Sequence, residues 1–163
     1  MEREPSLPLF AADIAPYIPD RFWKIPYDVA HDRGSPTLMG IESGANCQNF
    51  AYELLRYFGR QVPLLRSSNL WDDTQHTIAV DKYQPLDLLL FNPTPNAWGA
   101  HVAVHVGNDR AIHLSRRVGF AVVWPLAQFS EHPEYRVLLG AKRALSTNSV
   151  APFDFRNDFR VGS

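Results

Sequence analysis

The chain is poor in cysteine: Cys47 is the only one among 163 residues. An internal disulfide framework is thereby excluded, as is a zinc site built from several thiolates. A surplus of charge of one sign is missing too, with sixteen Lys and Arg facing seventeen Asp and Glu for a formal net charge of −1. No basic run is longer than a pair such as Arg116-Arg117. That leaves no basic stripe for a phosphate backbone, and no nucleic-acid partner is expected. No apolar run is long enough to span a bilayer, so no membrane span is expected either. The opening MEREPSLPLFAADIAPYIP has four prolines and no continuous apolar segment. It does not read as a Sec signal peptide, and the expectation is a cytoplasmic protein, export by a non-classical route, or a chain shown without its leader.

What is present describes one folded domain. Hydrophobic residues make up 45% of the chain, and its aromatic fraction of 12% supplies the apolar area that a disordered chain lacks. A single domain over 1–163 is expected, with 1–26 as a wrapping segment, 27–145 as the core and 146–163 as a C-terminal tail. The tail would dock through Phe153, Phe155 and Phe159.

Proline marks where regular structure can run. Five of the thirteen prolines precede residue 30, and none lies between 37 and 62 or between 96 and 124. In the first gap, CQNFAYELLRYF (47–58) repeats apolar groups at helical spacing, with Asn46 as N-cap and Gly59 as stop. Cys47 then lies in the first turn, on the core side. In the second gap, AHVAVHV (100–106) alternates, Gly107-Asn108-Asp109 signals a turn, and AIHLS (111–115) returns. LDLLLF (86–91), GFAVVW (119–124) and YRVLL (135–139) read as further strands. One helix followed by closely spaced strands indicates an α+β fold with an antiparallel sheet of about five to six strands.

A lone cysteine can be a buried small hydrophobe, an intermolecular bridge or a reactive thiol. The last needs a thiolate, which a helix N-terminus and a neighbouring imidazole favour. His101 and His105 share a strand face but stand about 13 Å apart, so they cannot serve one thiol or one metal ion. His113, on the returning strand, neighbours His101 if the hairpin register is even. The economical set is Cys47, His101 and His113, with no metal and no organic cofactor. His105 reads as structural, and His31, His76 and His132 as loop or surface histidines. Asp72-Asp73 reads as a solvated pair or helix cap, and Ser67-Ser68 as shaping the loop after the helix.

In order and spacing these segments resemble the NlpC-type papain-like cysteine peptidases, known for cutting bacterial cell-wall peptides. The family pattern is a cysteine opening a helix, often in Asp-Cys-Ser-Gly, then a Gly-Asp-Leu-Val-Phe-Phe-like strand. A His-Val-Gly-Ile-Tyr-Leu-Gly strand follows, with a second polar residue twelve positions after its histidine. This chain has NCQNFAYELLRYFG, PLDLLLF and HVAVHVGNDRAIHLS, and the step from His101 to His113 is twelve. The resemblance covers Tyr27 to Leu126. It implies Cys47 as nucleophile, His101 as base and acid, and His113 as the group orienting it. The Cys47 N–H would be an oxyanion donor, and Tyr27 would match an upstream pocket tyrosine. Asn46 replaces the family's aspartate and Gln48-Asn49 its Ser-Gly, which together help bind the free amine of a stem peptide. That loss of charge argues against the usual γ-D-glutamyl cleavage after L-alanine. Leu86 stands at the glycine position before Asp87. Asn46, Gln48, Tyr27 and Trp98, three residues before His101, are the candidate substrate-binding residues.

The function so implied is a cysteine hydrolase acting on an amide or isopeptide bond, most naturally in a peptidoglycan stem peptide. The rivals are a papain-like acyltransferase or protein deamidase, and a non-catalytic binding module on the same fold. Nothing in the sequence identifies an inhibitor or immunity partner.

Overall fold

In the computed structural model of the protein, residues 13–28 and 46–145 are described. The tail residues Phe153, Phe155 and Phe159, and His31, lie outside them.

Helix α1 (Asp20–Trp23) follows a 3-10 turn (Ala15–Tyr17), and helix α2 (Cys47–Tyr57) carries the cysteine. Helix α3 (Ser67–Asp72) and strands β1 (Thr77–Val80), β2 (Leu88–Asn92), β3 (His101–Gly107), β4 (Arg110–Leu114) and β5 (Ala121–Pro125) come next. Helix α4 (Leu126–Phe129), a 3-10 turn (Pro133–Tyr135) and strand β6 (Val137–Ala144) complete the chain as described. All strand pairings are antiparallel, and the six-stranded sheet has the order β1-β6-β2-β3-β4-β5.

Helix α2 has defined ends. Asn46 accepts the N–H of Asn49 at 2.8 Å, an N-cap bond. At the other end Gly59 takes φ 85°. Its N–H reaches the Arg56 carbonyl and the Arg60 N–H the Leu55 carbonyl, the paired bonds of a Schellman motif. The helix lies on β3 and β4. Phe50, Ala51, Leu54, Leu55 and Phe58 meet Val102, Val104, Val106, Leu88, Leu90 and Ile112 in one core. Ile14, Phe22 and Ile25 close that core from the N-terminal side. Burying one such Phe or Leu side chain contributes roughly 1.5–3 kcal/mol. Alternation along β3 sends Ala103 to the other face, where Leu89, Phe91, Ala111, Trp124, Phe129, Tyr135 and Ala141 form a second core.

Several boundaries differ from the sequence reading. The segment from Ser67 is a helix and not a loop. Its docking is tertiary, through buried Leu70 and through Lys142, whose ammonium donates to the Trp71 and Asp73 carbonyls at its C-terminal end. Asp73 accepts from the N–H groups of His76 and Thr77 and from the Thr77 hydroxyl, so it organises the turn into β1. The last strand begins at 137, not 135, and runs on to 144. Residues 84–87 form a turn before β2. Pro85 follows Gln84, Leu86 has φ 78°, and the Asp87 N–H returns to the Gln84 carbonyl, the pattern of a type II turn.

Candidate active site

The β3–β4 hairpin turns through Asn108 and Asp109, both left-handed at φ 55° and 54°, which matches the strand twist. Its register pairs Val104 with Ile112 and His105 with Ala111. These sums are even, so residues 101 and 113 share a face; the same register extended sets His113 opposite Ala103, diagonal to His101. Across that diagonal, His101 Nε2 and His113 Nδ1 are 2.8 Å apart in a hydrogen bond.

Aromatic rings enclose the pair. Tyr135 stacks on His101 with centroids 4.5 Å apart at 30°. Trp124 and Phe129 stand 4.4 and 4.6 Å from the His113 ring. His113 is fully buried, and among the described residues its Nε2 has no hydrogen-bond partner. Burial pushes the His101 imidazole down to about 3, against the opposing charge of Glu134. Burial pushes His113 to about 2, helped by His101 and His132. Both rings are neutral at pH 7. His132, read as a loop or surface histidine, lies in the loop before the 3-10 turn and stacks on Trp124 at 4.8 Å, which ties it to this cluster.

The helix delivers the thiol to the same end of the sheet. Arg60, just past the end of α2, feels the charge of Asp87. The Asp87 carbonyl accepts the His105 N–H at 2.8 Å. The C-terminal end of α2 therefore lies toward the His105 end of β3. Cys47, buried at 8% exposure, acts electrostatically on the phenol of Tyr135, the ring stacked on His101. Desolvation, Glu134 and Cys47 together hold that phenol up at about 12, so it stays protonated. Tyr27 acts on the same phenol, and its N–H binds the Gly119 carbonyl at 2.8 Å.

The remaining residues singled out from the sequence differ in their settings. Asn46 is committed to capping α2. Gln48 is buried, and both polar atoms of its side chain lack partners among the described residues. Trp98 is 67% exposed on the loop entering β3. His105 is buried, and its Nδ1 accepts the Gly107 N–H. His76 is partly exposed beside Asp73. No group of three His, Cys, Asp or Glu among the described residues could hold a metal ion. Tyr135 escaped the sequence reading: it sits in a short 3-10 turn, where no periodicity marks a buried position.

No family model matches this sequence. No curated protein matches it. Solved structures do resemble it. An NlpC/P60 family protein from Bacillus cereus is 23% identical, with 75% of this chain and 36% of that one covered and a TM-score of 0.52. A Staphylococcus aureus protein described as similar to lipoprotein, of the NLP/P60 family, is 21% identical over 78% of this chain and 39% of its own, with a TM-score of 0.51. The matched part thus spans well under half the length of either protein. The chain has the α+β fold of NlpC/P60 proteins, with its cysteine-bearing helix packed on a six-stranded antiparallel sheet.

Proposed function

We propose that the protein is a cysteine hydrolase that cleaves an amide or isopeptide bond through Cys47, His101 and His113, with a peptidoglycan stem peptide as substrate. The hydrogen bond between His101 and His113 carries this reading. It engages Nε2 of His101 and leaves Nδ1 as the nitrogen that can take the thiol proton. For that, the Nε2 proton of His101 must be donated to Nδ1 of His113, so His113 carries its own proton on Nε2. Aromatic rings pack around buried His113, and an N–H is better accommodated among them than a lone pair. This tautomer is assigned from the network.

With a neutral imidazole, His101 acts as general base as the Cys47 sulfur attacks the carbonyl carbon. The C–S bond forms, and the proton passes from sulfur to Nδ1. The N-terminal N–H groups of α2, that of Cys47 first, face the developing oxyanion. Collapse of the tetrahedral intermediate breaks the C–N bond, and His101 protonates the leaving amine. Water, deprotonated by His101, then attacks the thioester; the C–S bond breaks, the acid is released, and the proton passes from His101 back to the Cys47 sulfur. Tyr27, Gln48 and Trp98 border the substrate in this reading, and Asn46 holds the first turn of α2.

The stem-peptide assignment draws on the resemblance of the His101–His113 hairpin to the NlpC-type pattern. Digestion of purified peptidoglycan and defined stem peptides, read by mass spectrometry, tests it. Wild type is expected to create new ends that Cys47→Ala does not. Absence of any Cys47-dependent product from every muropeptide overturns the cell-wall substrate.

A further inference from the structure

Tyr135 is the residue most engaged with this site that neither the hairpin nor the helix supplies. It comes from the 3-10 turn before β6, more than thirty positions from His101 in sequence. Its ring lies 4.5 Å from His101, stacked, and 5.7 Å from His113, edge-on. The turn that bears it is fastened from outside. Glu134 receives two hydrogen bonds at 3.0 Å from the guanidinium of Arg117, on the loop between β4 and β5.

We infer that Tyr135 is a positioning residue of this site: its ring holds the plane of the His101 imidazole, so that the nitrogen not bonded to His113 stays turned toward the thiol. The inference rests on the reading of Cys47 and His101 as nucleophile and base. A single hydrogen bond at Nε2 leaves an imidazole able to swing about that contact. A stacked ring on its face removes this freedom and shields the face from water. The charged and titratable groups around His101 agree with such a role. His113 approaches from β4, Glu134 and Tyr135 from the 3-10 turn, and Cys47 acts on the Tyr135 phenol from α2. The one carboxylate among them is already paired with Arg117, so it does not compete for the imidazole proton. Tyr135 lays its ring on His101 while its hydroxyl shares a hydrogen bond with Ser115, so Tyr135→Phe keeps the stacked ring and gives up only that bond.

The test is the rate at which iodoacetamide alkylates Cys47 at pH 7 in the full chain, with folding checked by circular dichroism. His101→Ala sets the rate without the imidazole. Tyr135→Leu keeps apolar bulk and removes the ring. It is expected to lose the His101-dependent part of the rate, while Tyr135→Phe retains it. Tyr135→Met serves if the leucine variant does not fold. A folded leucine or methionine variant that alkylates like wild type, while His101→Ala is slow, overturns the role of Tyr135 and leaves the thiol–imidazole pair standing. An unchanged rate in His101→Ala overturns the pair itself, and the role of Tyr135 with it.

Discussion

Leu86 occupies a backbone conformation that ordinarily belongs to glycine. Its φ of 78° at the third position of a type II turn costs roughly 1–2 kcal/mol for a residue with a Cβ. The side chain is buried in the helix-side core, and its N–H binds the His105 carbonyl at 2.8 Å. Burial of the leucine therefore offsets the strain of the turn. Leu86→Ala loses the burial and keeps the strain, whereas Leu86→Gly loses the burial and relieves it. The expected order of stability is wild type, then glycine, then alanine, with glycine above alanine by about 1 kcal/mol. Urea unfolding of the two variants checks this, and an alanine variant as stable as the glycine one would contradict it. The next residue, Asp87, is just as firmly held, with its carboxylate gripped by Arg143 at 2.8 and 2.9 Å. That pair fixes the start of β2 against β6, far from the thiol.

Local elements were legible in the sequence where local chemistry decides them. Helix α2 announces both ends through Asn46 and Gly59, and the β3–β4 hairpin through its alternation and its Asn-Asp turn. The pairing of His101 with His113 was legible only on the condition of an even hairpin register, which the structure supplies. Elements decided by distant contacts were not. Strand β6 carries two adjacent charged residues, Lys142 and Arg143, which break an alternating pattern. It also contains Gly140, at φ 150° and packed under the Trp71 ring. Its register against β2 shifts between Leu90 and Phe91, which breaks the period of two. It enters the sheet between β1 and β2, a position no neighbouring segment signals. Helix α3 and the turn bearing Tyr135 are too short to show periodicity. The contact of His132 was not legible because its partner, Trp124, lies on strand β5 and His132 in a loop.

At the scale of the whole molecule, two neutral imidazoles inside an aromatic shell make stability depend on pH. An imidazole in the unfolded chain takes a proton near pH ~6.5. Folded His101 and His113 resist protonation until about 3 and 2. Between these limits the unfolded state binds more protons, so stability falls as pH is lowered through that window. Asp73 adds to the lower part. Desolvation raises its carboxyl, but bonds from Thr77 and His76 outweigh this and hold it at about 2. Its contribution is present above the ordinary carboxylate range and is lost as pH falls toward 2. The urea midpoint should therefore drop steadily from pH 7 to pH 4, and less steeply in His113→Gln. A flat midpoint over that range would show that the pair is not buried as neutral rings.

The central claim is that a thiol at the start of α2 and a histidine pair on the sheet form one acyl-transfer site. Trapping the covalent intermediate tests it most directly. A defined stem peptide is mixed with the protein, quenched in acid within the first turnover and examined by mass spectrometry. An acyl adduct is expected on the peptide containing Cys47, released by hydroxylamine and absent from Cys47→Ala. Cleavage of the same substrate by Cys47→Ala at the wild-type rate would contradict it.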